Sequence, residues 1–260
     1  MNFVRCKTLE LYFSKLGTDI DNRDMVFVED SKEIYTDGKP YGKDINWIEP
    51  PKPEIGDYYT KTGRLIRFSE LTDDDKDNLA GIYVGDHPET GDKLLIPANA
   101  GFAYNSTQGG LKWCDDYPIP TEIQNSINPS DIATNSTEAR TKFNGKSQTD
   151  KILAAAAANS KPATYFGEAN FCKSFAPGFK NGEWYLPSVG ELLLINKSYS
   201  TILQSITKIY SSITSLSYWY WSSNQYSATH SWHVRLPLGD VDYLTVDSSG
   251  NYVVPFLAIK

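Results

Sequence analysis

The chain has few of the residues that usually announce chemistry: three cysteines, three histidines and two methionines in 260 residues. Cys6, Cys114 and Cys172 are too few for a disulfide framework and lack metal-ligand spacing. Free, buried or half-buried thiols are expected, with a Cys114–Cys172 bridge as the alternative. No apolar run approaches the length of a membrane span, so no membrane insertion is expected. Met1–Cys6 lacks the basic-then-apolar pattern of a secretory signal, and no apolar stretch makes Cys6 a lipoprotein site. Basic residues number 25 against 32 acidic ones, a net charge of −7, which argues against nucleic acid as a partner.

Catalytic groupings are also missing. His230-x-x-His233 near Asp240 and Asp242 suggests a metal site, but on a strand the two rings project to opposite sides. A solvent-facing pair is the stronger expectation. No Ser/His/acid order surrounds a nucleophile elbow, and no glycine loop could cradle phosphate. Asp73-Asp74-Asp75 lacks the alternation and central glycine of a calcium loop and reads as a solvated turn. The Glu-Pro-Asn and Gln-Pro-Asp loops of calcium-dependent sugar binding do not occur. No catalytic residue, metal ligand or cofactor is therefore assigned.

What the chain does have is apolar and aromatic surface: 40% hydrophobic, 13% aromatic, with 17 tyrosines. That is ample for a core, and the length allows one large domain or one domain plus a small appendage. Tyr and Trp also give amphipathic contact area with few rotors, which suits recognition.

Residues 1–47 read as a small β module. Strands are expected at 24–30, Glu33–Thr36 and around Lys39–Gly42, with turns at Ser31-Lys32 and Asp37-Gly38. Such a hairpin needs a partner surface. Residues 48–55 form a stiff proline-rich linker, and a larger domain follows from 56 to 260. It opens with Tyr58-Tyr59, a turn at Lys61-Thr62-Gly63 and a strand Leu65–Phe68. Core strands follow at Gly81–Gly85 and Lys93–Pro97, then a long irregular insertion over 115–147 containing the sequon Asn135-Ser136-Thr137. Thr149-Asp150 is placed to cap a helix from Lys151 to Asn159. Ser188 and Glu191 form a capping box for a second helix, which turns Leu192 to Ile195 inward. A third amphipathic segment spans Ile202 to Tyr210.

The C-terminal stretch is the most informative. Apolar and polar residues alternate through Trp232–Leu236 and again through Asp240–Tyr243, on both sides of Pro237-Leu238-Gly239. This predicts a hairpin with Leu238-Gly239 as its loop. Leu236 would then oppose Val241 and Val234 oppose Tyr243 on the inner face, with Arg235 opposite Asp242 and His233 beside them outside. From His233 to Ile259 no residue is Lys, Glu, Gln, Met or Trp, the five types a codon ending in C cannot encode. A strand-rich, uncharged segment would account for this. So would positions that arose by randomising the adenines of asparagine codons.

Tyr220-Trp221-Ser222-Ser223, Tyr226-Ser227-Ala228, Trp232, Val234, Gly239, Val241 and Tyr252-Val253-x-Pro255 resemble the variable region of diversity-generating retroelement variable proteins from gut Bacteroides and their phages. Gly182–Leu192 resembles the W-Y-L-P-S-x-x-E-L signature of the same group. Asn144–Ile152 and Gly56–Tyr59 extend the likeness over roughly 56–260. Two departures are Asn224-Gln225 for Thr-Glu, expected to weaken a structural hydrogen bond, and Val254 for Arg, which removes a salt bridge. The segment Phe27–Gly42 is similar to attachment segments of Bacteroides phage tail proteins.

The resemblance implies an α+β chain with a C-type lectin fold: two helices on short antiparallel sheets, with long loops, behind the N-terminal β module. It implies a variable region at about 221–255 and a virion or cell-surface location. The ligand would be a surface protein or glycan of a bacterial host, and the protein a phage tail receptor-binding protein or a bacterial adhesin, trimeric through its N-terminal module. The implied ligand-binding positions are Thr229, His230, His233, Arg235, Pro237, Leu238, Asp240, Asp242, Tyr243, Leu244, Thr245, Asp247, Ser248, Ser249 and Asn251. An enzyme resembling formylglycine-generating enzymes is the competing implication, and it would need a reactive cysteine pair that Cys114 and Cys172 do not match by motif.

Overall fold

The computed structural model describes residues 3–6, 25–28, 33–36, 39–42, 52–98, 111–127, 132–175 and 184–260. The chain divides into two compact units, Met1–Lys52 and Pro53–Lys260.

The first unit is a four-stranded sheet in the order β1-β2-β3-β4. β2 (Met25–Val28), β3 (Glu33–Thr36) and β4 (Lys39–Gly42) are the expected antiparallel strands. β1 (Phe3–Cys6) was not foreseen, because it pairs parallel with β2 across a gap that no local pattern spans. Val26, Val28 and Tyr35 are buried. The turns at 31–32 and 37–38, the linker residues 48–51 and Gly182-Glu183 of the signature motif lie outside the described residues.

The second unit is α+β with antiparallel sheets. A five-stranded sheet runs in the order β12-β8-β7-β5-β6, from β5 (Tyr58–Thr60), β6 (Leu65–Ile66), β7 (Leu79–Asp86), β8 (Lys93–Pro97) and β12 (Leu257–Ile259). β12 pairs with β8, so the end of the chain closes the sheet next to its early strands. Where a strand was expected to continue to Phe68, a 3-10 turn begins instead, because the Asp57 carboxylate accepts from the Phe68 N–H at 2.9 Å. Arg67 donates to the other oxygen of the same carboxylate at 2.7 Å.

Six α-helices stand among the described residues, where two were implied: α1 (Thr121–Ser126), α2 (Ser136–Arg140), α3 (Gly145–Ala158), α4 (Gly167–Ser174), α5 (Val189–Lys197) and α6 (Tyr199–Ile209). The stretch 115–147 is thus not simply irregular. Asn135 Oδ1 accepts from the Glu138 N–H at 2.9 Å and starts α2, so the sequon is a helix cap. α3 also starts six residues before the expected Lys151. Thr149 is no cap. Its hydroxyl lies inside the helix, 2.8 Å from the Gly145 carbonyl, and accepts from the Leu186 N–H at 3.0 Å. The capping box at α5 forms as expected, with Glu191 accepting from Ser188 N–H at 2.6 Å. Gly145 is obligatory beside it, because a Cβ there would lie 2.1 Å from Glu191 Oε2.

One core cluster joins Tyr58, Ile82, Leu94 and Ile96 of the large sheet to Leu192 and Ile195 of α5, Ile202 and Ile206 of α6, and Trp232 and Val234 near the C-terminus. A second gathers Trp113, Ile123, Ile152, Phe166 and Cys172 around Trp221, Val246 and Val253. Among the described residues no helix is long and apolar enough to cross a membrane.

Candidate functional site

The expected variable stretch forms a three-stranded antiparallel sheet, β11-β10-β9, from β9 (Trp219–Gln225), β10 (His230–Arg235) and β11 (Asp240–Thr245). The hairpin exists, but in a different register. Val234 opposes Val241, Trp232 opposes Tyr243 and Arg235 opposes Asp240, around a loop of Leu236 to Gly239. The predicted two-residue loop would have made Pro237 a hydrogen-bonded closing residue, and proline has no N–H to give. Instead the Gly239 N–H reaches the Arg235 carbonyl at 2.8 Å. The shift is by two residues, so the inner and outer sets keep their parity.

The scaffold grips this sheet from several elements. Trp232 Nε1 donates to the Ala133 carbonyl and Trp113 Nε1 to the Ser222 carbonyl, each at 2.8 Å. Arg140 of α2 donates to the Gly239 carbonyl at 2.8 Å and holds down the hairpin loop. Gly239 has φ +71° and packs so tightly that a Cβ would lie 2.6 Å from Asn196 Nδ2. Both facts require glycine. At the Asn224-Gln225 departure both side chains are hydrogen-bonded. Asn224 Oδ1 accepts from the Val189 N–H at 2.9 Å, at the start of α5, and Gln225 exchanges amide hydrogen bonds with Gln124. Val254 is fully buried, in apolar company where an Arg would need a partner.

The predicted binding positions are not all brought together. Arg235, Pro237, Leu238, Asp240, Asp242, Tyr243 and Ser249 are exposed; Thr229, His230, Leu244, Thr245, Asp247 and Ser248 are half-buried. His233 and Asn251 are buried, at 6% and 7% exposure, which corrects their placement on the solvent-facing surface. The cause is β9: Trp219 and Trp221 pair with Arg235 and His233 and share their face. The Trp219 ring stacks on His233 with centroids 4.1 Å apart, and Asn251 Nδ2 approaches His233 Nδ1 at 2.8 Å. Burial pulls the His233 imidazole down to about 4, so it is neutral at pH 7, although Asp242 opposes the effect. His230 lies on the opposite face of β10 from His233, with Nδ1 2.8 Å from Thr229 Oγ1.

Tyr243, assigned inward by pattern, is 42% exposed. It sits on the edge strand with its ring flat against Tyr226, 4.2 Å between centroids. Tyr226 joins Tyr243 on this face and Trp219 lies on the other, against His233; neither these two nor Tyr218 were among the predicted positions. Tyr218 is 43% exposed and stacks on Tyr252 at 3.9 Å. The signal available was the aromatic run Tyr218 to Trp221, whose alternate members face opposite sides of the sheet.

Elsewhere, a cavity of about 410 Å³ opens beside His87, Phe143, Asp150 and Glu191. Its buried Glu191 carboxylate is already satisfied by Ser188 and Tyr185. In the aspartate run, Asp73 pairs with Lys76 and Asp75 with Arg64. Cys114 and Cys172 are free and buried; burial pushes the Cys114 thiol up to about 11 and the Cys172 thiol well above its usual value.

No protein-family model matches the chain, and no curated protein matches it in sequence. Among solved structures it is similar to a fimbrial protein from Bacteroides ovatus ATCC 8483, at 17% identity and a TM-score of 0.58. The match covers 80% of this chain and 49% of that one, so this chain spans about half the length of its neighbour. The likeness is one of fold.

Proposed function

We propose that this is a surface-recognition protein whose β9–β11 sheet, with the hairpin loop, is the ligand-binding face. The observation that carries this is the separation of roles within one hairpin. Arg235, Leu238, Asp240 and Asp242 are exposed, while Trp232, Val234 and Gly239 between them are buried and locked to α2 and α5 neighbours. A surface built this way can change its side chains without changing its backbone. The finer reading keeps the C-type lectin fold and the diversified variable protein, with a bacterial surface molecule as ligand and a phage tail receptor-binding role. The similarity to a fimbrial protein favours a second reading, a bacterial surface adhesin. The N-terminal β unit would serve attachment or trimer formation in either case.

The test is binding to intact Bacteroides cells, followed by flow cytometry, for the native chain and a variant carrying Arg235→Ala, Leu238→Ala, Asp240→Ala and Asp242→Ala. Lost binding with an unchanged melting temperature supports the proposal. Binding retained in full by the folded variant removes this face as the site.

A further inference from the structure

β11 has a neighbour on one side only among the described residues, and none of its six residues is buried. Its free edge can be read group by group. The Tyr243 N–H turns to Asp242 Oδ1 at 2.8 Å, so it is not spent on β10. One step past the strand, the Val246 N–H does reach the Thr229 carbonyl, at 3.0 Å. The antiparallel alternation then points the backbone groups of Asp240, Asp242 and Leu244 at β10 and those of Val241, Tyr243 and Thr245 outward; of these the Thr245 carbonyl already accepts from the Ser248 N–H at 2.9 Å.

Proteins usually blunt such an edge with proline, lysine or a bulge. β11 has no proline or lysine, and its pairing with β10 runs unbroken from Asp240 to Thr245. The Asp242 carboxylate, folded back on the next N–H, is the blocking device seen here, and a stronger partner can displace it. Asp240 and Asp242 lie on one face of the strand, exposed and without a cationic partner among the described residues. Arg235 faces Asp240 across the ladder but lies over the Trp219 ring, 6.0 Å from its centroid.

Resting on the proposed role of this sheet, we infer that β11 takes up an extended, basic segment of a partner protein as an added strand. Backbone groups of Val241 and Tyr243 and the Thr245 N–H would supply the pairing, and Asp240 and Asp242 would face lysine or arginine on the incoming strand. A second copy of this chain fits less well, since a two-fold antiparallel pairing brings the aspartates near their own copies.

The test uses the full chain with a short synthetic peptide alternating lysine and threonine, and the same peptide with glutamate for lysine. The lysine peptide is expected to slow amide exchange at Val241, Tyr243 and Thr245 and to bind at least about tenfold more tightly than the glutamate peptide. Proline is tolerated where the N–H faces away from the ladder. Tyr243→Pro should therefore keep the melting temperature of Tyr243→Ala yet bind the lysine peptide about tenfold more weakly than it does. Equal binding by the two variants, equal binding of the two peptides, or no slowed exchange at those amides overturns the inference. If these fail while the four-alanine variant still loses cell binding, the recognition face stands and only strand addition falls.

Discussion

β10 and β11 are adjacent strands of equal length in one hairpin, and they treat their side chains oppositely. β10 buries four successive residues, Ser231 to Val234, while β11 buries none. β10 is central, with β9 on its far side and core clusters against both faces of the sheet; β11 is an edge. Alternation therefore means different things in the two strands. In β11 neither face is buried, and exposed and partly covered residues occur on both. In β10 even the outward set is covered at His233, because Trp219 lies over it. A recognition surface on this hairpin must be drawn from β11, the loop and Arg235.

The largest expected difference between the strands is at their aromatic residues. Trp232→Ala removes a buried ring and its hydrogen bond to Ala133, and should cost about 3–5 kcal/mol in denaturant unfolding. Tyr243→Ala, directly opposite, should cost well under half as much.

The second difference is in pH dependence. Below pH 6.5 the unfolded chain takes up a proton at His233 that the folded chain refuses until about pH 4. Stability from this group therefore falls as pH drops through that window, by about 3 kcal/mol in total. His233→Gln should flatten this part of a melting-temperature profile. Asp242→Asn removes the charge that favours the imidazolium, so it should keep this slope and extend it to lower pH; a slope unchanged by His233→Gln would contradict the burial of that ring.

A third prediction concerns the loop that joins the strands. Arg140→Ala should destabilise by about 1–2 kcal/mol through loss of its bond to the Gly239 carbonyl. It should also loosen the loop's amide protection more than that of β10. Smallest of all, Arg235→Ala, Asp240→Ala and Asp242→Ala should each shift stability by no more than about 0.5 kcal/mol.

Much of this arrangement is legible in the sequence. The strands around Gly81–Gly85, Lys93–Pro97 and Trp232–Tyr243, and the capping box at Ser188, follow from local pattern alone. What local pattern misses is pairing over distance. β1 joins β2, β12 joins β8, and β9 covers His233, each across a separation that no window spans. The hairpin register was missed for a smaller reason, the absent N–H of Pro237. In the site, Pro237, Leu238, Asp240 and Asp242 are exposed as expected, whereas Tyr243, expected inward, is exposed, and the burial of His233 and Asn251 depends on what lies across the sheet. The helices within 115–147 were legible in part, since Asn135-x-x-Glu138 is a cap spacing like the one recognised at Ser188.

The most direct test of the separation between scaffold and surface is a pair of libraries compared by their melting temperatures. One randomises Arg235, Leu238, Asp240 and Asp242; the other randomises Trp232, His233, Val234 and Asn251. The account predicts that most members of the first melt within a few degrees of the native chain, while most of the second fail to fold. Comparable losses in both libraries would contradict it.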